Sequence, residues 1–366
     1  MNLIFLRVGI FSHVNQNLYA ALRRFHHVVA NVDTAKIIKR KSLRLSSWYN
    51  LLYTWIKSGR YWRQTHSKNC FAFTSMSKYC NQVLRERSDY DIIFQTQCKF
   101  SITENPYSRP YFIYTDLTQK LCDRLWHGWA LLGSSSEVRQ WYQLETAAYH
   151  RANLIFTFNE PLKQSFIEDY HIHPDKVIVV GTGINFDVGD EIAFDDKLNQ
   201  RFTMVFLSSE FERQGGPLIL SAYEIVKRQL PEVELMIVGR HPRRMPSEVI
   251  VHNYLSLAAL YQVLRRAHLF LMPGKLGGLQ SVLQAMHQKC VCIVSHSNIL
   301  LWQLIVDNET GIVLKTDTSA ELAQRIIELY HHPSLLHSIA DRAYQIVQEN
   351  FTWDKVVARM SQHFCI

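Results

Sequence analysis

The second half of the chain alternates short apolar runs with segments whose apolar residues recur at helical spacing. Phe202-Thr-Met-Val-Phe-Leu, Val233-Glu-Leu-Met-Ile-Val-Gly and Val249-Ile-Val read as strands, as do Leu269-Phe-Leu-Met-Pro, Val291-Cys-Ile-Val-Ser and Thr310-Gly-Ile-Val-Leu. Between them the spacing predicts helices over 217–229, 255–266, 279–288 and 319–330, with a short one over 301–307. Alternation of this kind implies a parallel sheet with helices on both faces, and ligands that sit beyond the carboxyl ends of the strands.

The first half is less regular but similar in kind. Strands are predicted over 3–7, 92–95, 111–114, 154–157 and 177–180, and helices over 17–25, 50–63, 77–87, 137–151 and 161–170. The stretch Gly181–Asn199 is acidic and aperiodic, and reads as a linker. The expected division is therefore 1–182, a linker over 183–199, and 200–350, with 351–366 as a terminal segment. The fold class is α/β: two doubly wound, Rossmann-like domains facing a central cleft.

Length agrees, since 366 residues exceed one ordinary core. The apolar share of 47% and charged share of 20% are those of a soluble globular protein and exclude a disordered chain. Arg7 interrupts the first apolar run too early for a signal peptide, and no run approaches the ~18 apolar residues of a membrane span. The expected location is the cytoplasm. Seven scattered cysteines fit reduced thiols. Cys290 and Cys292 would face the same way on a strand, as a packed pair or as a metal or redox pair. No histidines fall at metal-ligand spacing, and no metal is expected. His171 and His173 read as surface residues. The carboxylate pairs Asp89/Asp91 and Asp195/Asp196 read as solvated loop or helix-cap residues.

The net charge of +8 is uneven. No acidic residue lies between Asp33 and Glu86, a span holding Lys36, Lys39, Arg40, Lys41, Arg44, Lys57, Arg60, Arg63, Lys68, Lys78 and Arg85. Trp48, Tyr49, Tyr53, Trp55, Tyr61 and Trp62 are interleaved. Three readings stay open: a solvated helical face over a buried aromatic stripe, an anionic membrane surface bound through 36–68, and nucleic acid, which is the least favoured.

The densest chemistry lies in Leu269–Gln284, a strand, a glycine loop and a helix start. A glycine loop opening a helix offers free backbone N–H groups and the positive end of a helix dipole, which suits phosphate. An ordinary helix-opening turn is the competing reading. Tyr114-Thr-Asp116-Leu-Thr118 ends a strand, so Asp116 is either a proton acceptor at the cleft or a helix N-cap.

Over about residues 140–355 the chain resembles a known family: retaining glycosyltransferases of the GT-B fold, specifically nucleotide-sugar family 4 (glycosyl transferases group 1). The resemblance rests on landmarks in the family's order and spacing. They are Glu145-x3-Tyr149-x2-Ala152-x2-Ile155-Phe156-Thr157, Lys176-Val-Ile-Val-Val-Gly-Thr-Gly-Ile-Asn and Glu212-Arg213-Gln214-Gly215-Gly216. Val238-Gly239, Leu276 to Met286, Asn308-x-Thr-Gly-Ile-Val and Asn350-Phe-Thr-Trp353 complete the series.

The resemblance implies transfer of a sugar from a nucleotide-diphosphate donor held by 200–350 to an acceptor held by 1–182. That acceptor would be a glycan, a lipid-linked compound or another amphipathic hydroxyl compound. Transfer would retain configuration and need no metal or cofactor besides the donor. It also implies that 351–366 is a helix crossing back to the N-terminal domain. For a lipid-linked acceptor, the basic span would bring the enzyme to the inner membrane face.

At the donor site the resemblance places Arg213 and Gln214 on the phosphates, with Gln214 where the family carries Lys. Gly277 and Gly278 would let the backbone approach, and Leu279, Gln280 and Ser281 form the first helical turn. Leu276 and Gln284 stand at the two positions where the family carries Glu. Gln284 would accept from the ribose hydroxyls, whereas Leu276 cannot contact the transferred sugar as Glu does. Gly9 and Ser12 follow the first strand and would approach the donor phosphates. The missing acids leave an alternative: a catalytically impaired member acting as a binding or scaffold subunit of a glycan-assembly complex.

Overall fold

The computed structural model describes residues 1–11, 13–38, 48, 52–56, 66–125, 130–131, 133–185, 194–275, 277–301 and 304–364. They divide into two compact units: unit 1, residues 1–183 with 353–366, and unit 2, residues 184–352. Of the linker expected over 183–199, residues 186–193 lie outside the described residues.

Unit 1 runs β1 (Asn2–Arg7), α1 (Val14–Phe25), β2 (His27–Asp33), α2 (Ala35–Ile38), α3 (Cys70–Arg85), β3 (Ile92–Thr96) and β4 (Tyr111–Thr115). It continues through α4 (Gln119–Leu125), α5 (Ser135–Arg151), β5 (Leu154–Thr157), α6 (Glu160–Tyr170) and β6 (Val177–Val179). The strands form one parallel sheet in the order β2-β1-β3-β4-β5-β6. Strands β3 and β4 are buried along their whole length, as expected for a sheet covered on both faces.

Two departures from the predicted elements have local causes. Helix α3 starts at Cys70 rather than Ser77, because the Asn69 side chain accepts from the Ala72 N–H (2.9 Å) and caps it there. Ser77 is instead buried in mid-helix, its Oγ donating to Phe73 O and accepting from Ser101 N. Strand β2 escaped prediction: it leaves α1 after one residue, and its half-buried, mixed sequence marks a sheet edge.

Unit 2 runs α7 (Asp195–Leu198), β7 (Thr203–Ser208), α8 (Gly216–Gln229), β8 (Glu234–Gly239), β9 (Ile250–His252) and α9 (Leu257–Arg266). Then follow β10 (Leu269–Met272), α10 (Leu279–His287), β11 (Val291–Ser295), β12 (Ile312–Leu314), α11 (Ser319–His331) and α12 (Pro333–Asn350). Its parallel sheet has the order β12-β11-β10-β7-β8-β9. Of the short helix expected over 301–307, residues 302–303 lie outside the described residues; 304–307 are not helical, and Leu304 N and Ile305 N both turn back on Leu301 O.

After unit 2, α13 (Trp353–Ser361) returns to unit 1, where Arg24 Nε reaches Asp354 Oδ1 (2.9 Å) and Phe364 stacks on Phe112. Cys290 and Cys292 are buried. Cys290 Sγ packs on the carbonyls of Leu264 and Ala267 beside the buried Lys197 ammonium, and among the described residues no group of acidic, His and Cys side chains could hold a metal. Asp89 pairs with Arg87, Asp91 accepts from the Asn2 N–H, and His171 and His173 are exposed. The side chains of Asp195 and Asp196 lie outside the described residues. No described helix is long and apolar enough to cross a membrane.

Candidate active site

Each sheet has one point where the strand order reverses, and polar groups gather there. In unit 2 the chain leaves β7 toward β8 on one side and later returns to β10 on the other. The loops after β7 and β10 therefore lie side by side at the carboxyl ends of their strands, where doubly wound sheets hold ligands. Their contact is tight: a β-carbon on Gly274 would come within 2.6 Å of Gln214 Cα.

The first loop is closed by Gln214. Its buried Oε1 accepts from Ser209 N (2.7 Å), Ser209 Oγ (3.1 Å) and Glu210 N (2.8 Å). The oxygen is committed to the turn, so the amide NH2 is what Gln214 has left for a ligand. Glu210 Oε2 holds Arg213 Nε at 2.8 Å, which aims the guanidinium at the second loop. A β-carbon on Gly277 would sit 3.8 Å from Arg213 Nη1.

Gly277 and Gly278 have φ of +85° and +87°, a region that other residues rarely enter. Gly278 caps α10 with no side chain on the helix terminus. The first N–H groups of a helix have no partner inside it, and this helix start lies beside Arg213. Leu279, Gln280 and Ser281 form that first turn, and all three are half-buried. Gln284 lies about one turn further on, half-buried, and its side chain makes no hydrogen bond among the described residues. Leu276 and Ser12 lie outside the described residues.

Asn298 was invisible to sequence reasoning. It is fully buried on the loop after β11, and its Nδ2 donates to Gly274 O (2.9 Å) and Gly277 O (3.1 Å), pinning both ends of the glycine loop.

In unit 1 the reversal lies between β1 and β3, and a cavity of about 520 Å³ opens beyond their carboxyl ends. Gly9, Lys68, Lys99, Asp116 and Trp141 line it. Gly9 is at the wall, but its N–H is committed to Asp33 Oδ1 (3.0 Å), so it offers close approach rather than a donor.

Asp116 does not cap the helix that follows it. Helix α4 is capped without it: Leu121 N donates to Thr118 Oγ1 (3.2 Å), Gln119 N to Glu145 Oε1 (3.1 Å) and Lys120 N to Tyr170 OH (3.0 Å). The N-cap reading is thus overturned, because Thr118 holds that place, and Asp116 is left facing the cavity. Burial pushes its carboxyl up to about 6, against the opposing pull of its own backbone N–H and of Lys99 and Lys68.

Lys99 was also missed, although it follows a predicted strand at the carboxyl end where ligands bind. Burial, with the Lys68 charge, brings its ammonium down to about 8, opposed by Asp116. It makes no hydrogen bond or ion pair among the described residues. Beneath the cavity, buried Glu145 accepts from Gln119 N, Tyr149 OH (2.9 Å) and Tyr170 OH (2.5 Å). Burial still raises its carboxyl to about 7.

Residues 190–346 match the family described as glycosyl transferases group 1. The match takes in less than half of the chain and says what this stretch is similar to. The matched stretch contains Arg213, Gln214, the glycine loop, the first turn of α10 and Gln284; Gly9 and Asp116 lie outside it. An uncharacterized glycosyltransferase of Methanocaldococcus jannaschii is 22% identical over 235 residues, a match spanning 59% of this chain and 59% of that protein.

HepE of Anabaena in complex with UDP has the same fold, with a TM-score of 0.64 at 14% identity over 99% of both chains. A glycosyltransferase of Rickettsia africae gives 0.63 at 13% identity over 99% of this chain and 97% of that one. The two parallel six-stranded sheets with their helices are the GT-B architecture.

Proposed function

We propose that the protein transfers a sugar from a nucleotide-diphosphate donor to a hydroxyl-bearing acceptor, retaining configuration and using no metal, as the resemblance to family 4 implies. The observation that carries this reading is the positive-φ Gly277–Gly278 turn that opens α10, with Arg213 beside Gly277, inside the stretch that matches group 1. As the bond to the anomeric carbon breaks, negative charge gathers on the leaving diphosphate. Backbone N–H groups and a guanidinium fixed in advance meet that charge without reorganising. Gln284 is placed one turn along the helix, where its amide oxygen can accept from a ribose hydroxyl. HepE was solved with UDP and with UDP-glucose, so uridine donors are the first to test.

The acceptor belongs in the unit 1 cavity. A carboxyl near 6 is mostly ionised at neutral pH and still basic enough to take a proton from an attacking hydroxyl, which is the role of Asp116. A second reading rests on Leu276 and Gln284 at the family's two acidic positions: a binding or scaffold subunit that has lost turnover. Calorimetric titration with UDP and GDP, followed by nucleotide-release assays with their sugars, separates the two. Failure to bind either nucleotide overturns the transfer reading. Binding without turnover across donors and acceptors, lipid-linked ones included, leaves only the second.

A further inference from the structure

The end of α10 opposite the glycine turn is met by a buried charge. Lys197, on the short helix α7, is the only lysine or arginine among the described residues with no exposed surface. Its Nζ donates to Ala267 O (2.6 Å), Leu264 O (3.3 Å) and Gln288 O. Three carbonyl oxygens take the three protons of an ammonium, so the arrangement fits the charged form. Cys290 Sγ is a fourth neighbour at 3.5 Å. Lys197 forms no ion pair among the described residues.

Helix polarity balances the ammonium instead. Leu264 and Ala267 belong to the end of α9, and Gln288 is the residue that closes α10. The last carbonyls of a helix carry its negative pole and lack partners within it. Two helices therefore end on one lysine. At α10 the other terminal carbonyls are already taken. Lys289 has a φ of +52°, Lys289 N donates to Met286 O (2.9 Å) and Cys290 N to Ala285 O (2.9 Å), the bonding of a Schellman turn. That turn leaves Gln288 O to Lys197. Asn298 holds the opposite end through Gly274 O and Gly277 O, so buried side chains from two other segments tie α10 at both ends.

We propose that Lys197 is a positioning residue for the donor diphosphate: it seats α10 from behind and sets the polarity with which the Gly277–Gly278 turn and the first helical turn meet the phosphates. The inference rests on the transfer reading. Helix α10 has nine residues, so about 14 Å separates its two ends. A charge buried in the interior is screened much less over that range than one at the surface. By cancelling the negative pole, Lys197 leaves the positive pole to face the diphosphate. Its effect runs through the helix and falls on the phosphates, while the nucleoside is indifferent to it. A lysine that only fastens α7 to unit 2 would change stability and nothing else.

The test is a ratio of two affinities. Calorimetry gives the Kd for the tighter of UDP and GDP and for its nucleoside, and the nucleoside-to-diphosphate ratio reports the phosphates alone. Lys197→Met removes the charge and all three hydrogen bonds and should lower the ratio about ten-fold. Lys197→Gln stays a donor without the charge and should lower it about three-fold; it also keeps the test decisive if the Met variant does not fold. Nucleoside binding should match the parent in both. Ile326→Ala opens a cavity in the buried face of α11, and should lower the denaturation midpoint without moving the ratio. A ratio unchanged in folded Lys197→Gln overturns the inference. So does an equal fall in Ile326→Ala, or a loss of nucleoside affinity as large as that of the diphosphate. Diphosphate binding by the parent with an unmoved ratio sinks this inference alone; a parent that binds neither UDP nor GDP sinks the transfer reading and this inference with it.

Discussion

The two candidate sites occupy equivalent places in their sheets but are built from different material. In unit 2 the candidate groups are mostly backbone: positive-φ glycines, the helix start they open and one arginine held by Glu210. In unit 1 the groups are side chains: Asp116 and Lys99, whose pKa values burial displaces, with Lys68 beside them, set above the buried Glu145 network. Backbone N–H groups keep their polarity at every pH, which suits a diphosphate that is always charged. Side chains with displaced pKa values suit a partner from which a proton must be taken.

Substitutions can break this contrast, and the largest effect is expected at Asp116. Asp116→Asn should lower kcat about 10²- to 10⁴-fold while the Kd for UDP stays where it was, because the proposed base lies in unit 1 and the proposed phosphate ligands in unit 2. A matching loss of UDP affinity would refute that separation. Next is Glu145→Leu, which leaves Gln119 N, Tyr149 OH and Tyr170 OH without their acceptor. Chemical denaturation should show a loss on the order of 3 kcal/mol.

The parent protein should respond to pH through the same group. The Glu145 carboxyl is raised from 4.5 to about 7 by burial, so the folded state binds the proton more tightly than the unfolded one. That contribution is complete below about 4.5 and is lost as pH rises through about 7. Glu145→Gln should flatten this slope.

Smaller is Arg213→Ala, expected to weaken UDP binding about 10- to 100-fold with no change in the pH profile of kcat. The finest test is the acid limb of that profile. Activity should fall as pH drops through about 6, where Asp116 takes a proton. Lys99→Gln removes a charge that favours the carboxylate and should move the limb to higher pH. An unmoved limb would detach Lys99 from Asp116.

The unit 2 site was readable in the sequence because it is nearly contiguous: a strand, two glycines and a helix within 269–284 carry their own geometry. What sequence could not show there is Asn298, whose hold on Gly274 and Gly277 depends on β11 lying next to β10. The unit 1 site was only half readable, for the same reason enlarged. Gly9, Lys68, Lys99 and Asp116 come from four separate segments, and only the sheet order brings them to one cavity. That Asp116 is not the cap of α4 shows only where Thr118, Glu145 and Tyr170 hold those N–H groups. The outward face of 52–56 reversed the usual rule that an aromatic stripe is buried, a reversal that periodicity alone cannot sign.

The return of α13 bears on how the polypeptide is born. Phe364 is buried in the unit 1 core against Phe94, Phe112 and Phe156, and Trp353 lies over Gly183. A ribosome delivers residues 1–183 before the aromatic ring that completes their core, which is made only after residues 184–352. Unit 2 can therefore mature while the earlier-made unit still waits with an open core. The usual N-to-C order of domain completion is inverted here. For the time needed to translate unit 2, the nascent N-terminal unit exposes the apolar surface on which Phe364 will close, a natural target for chaperones.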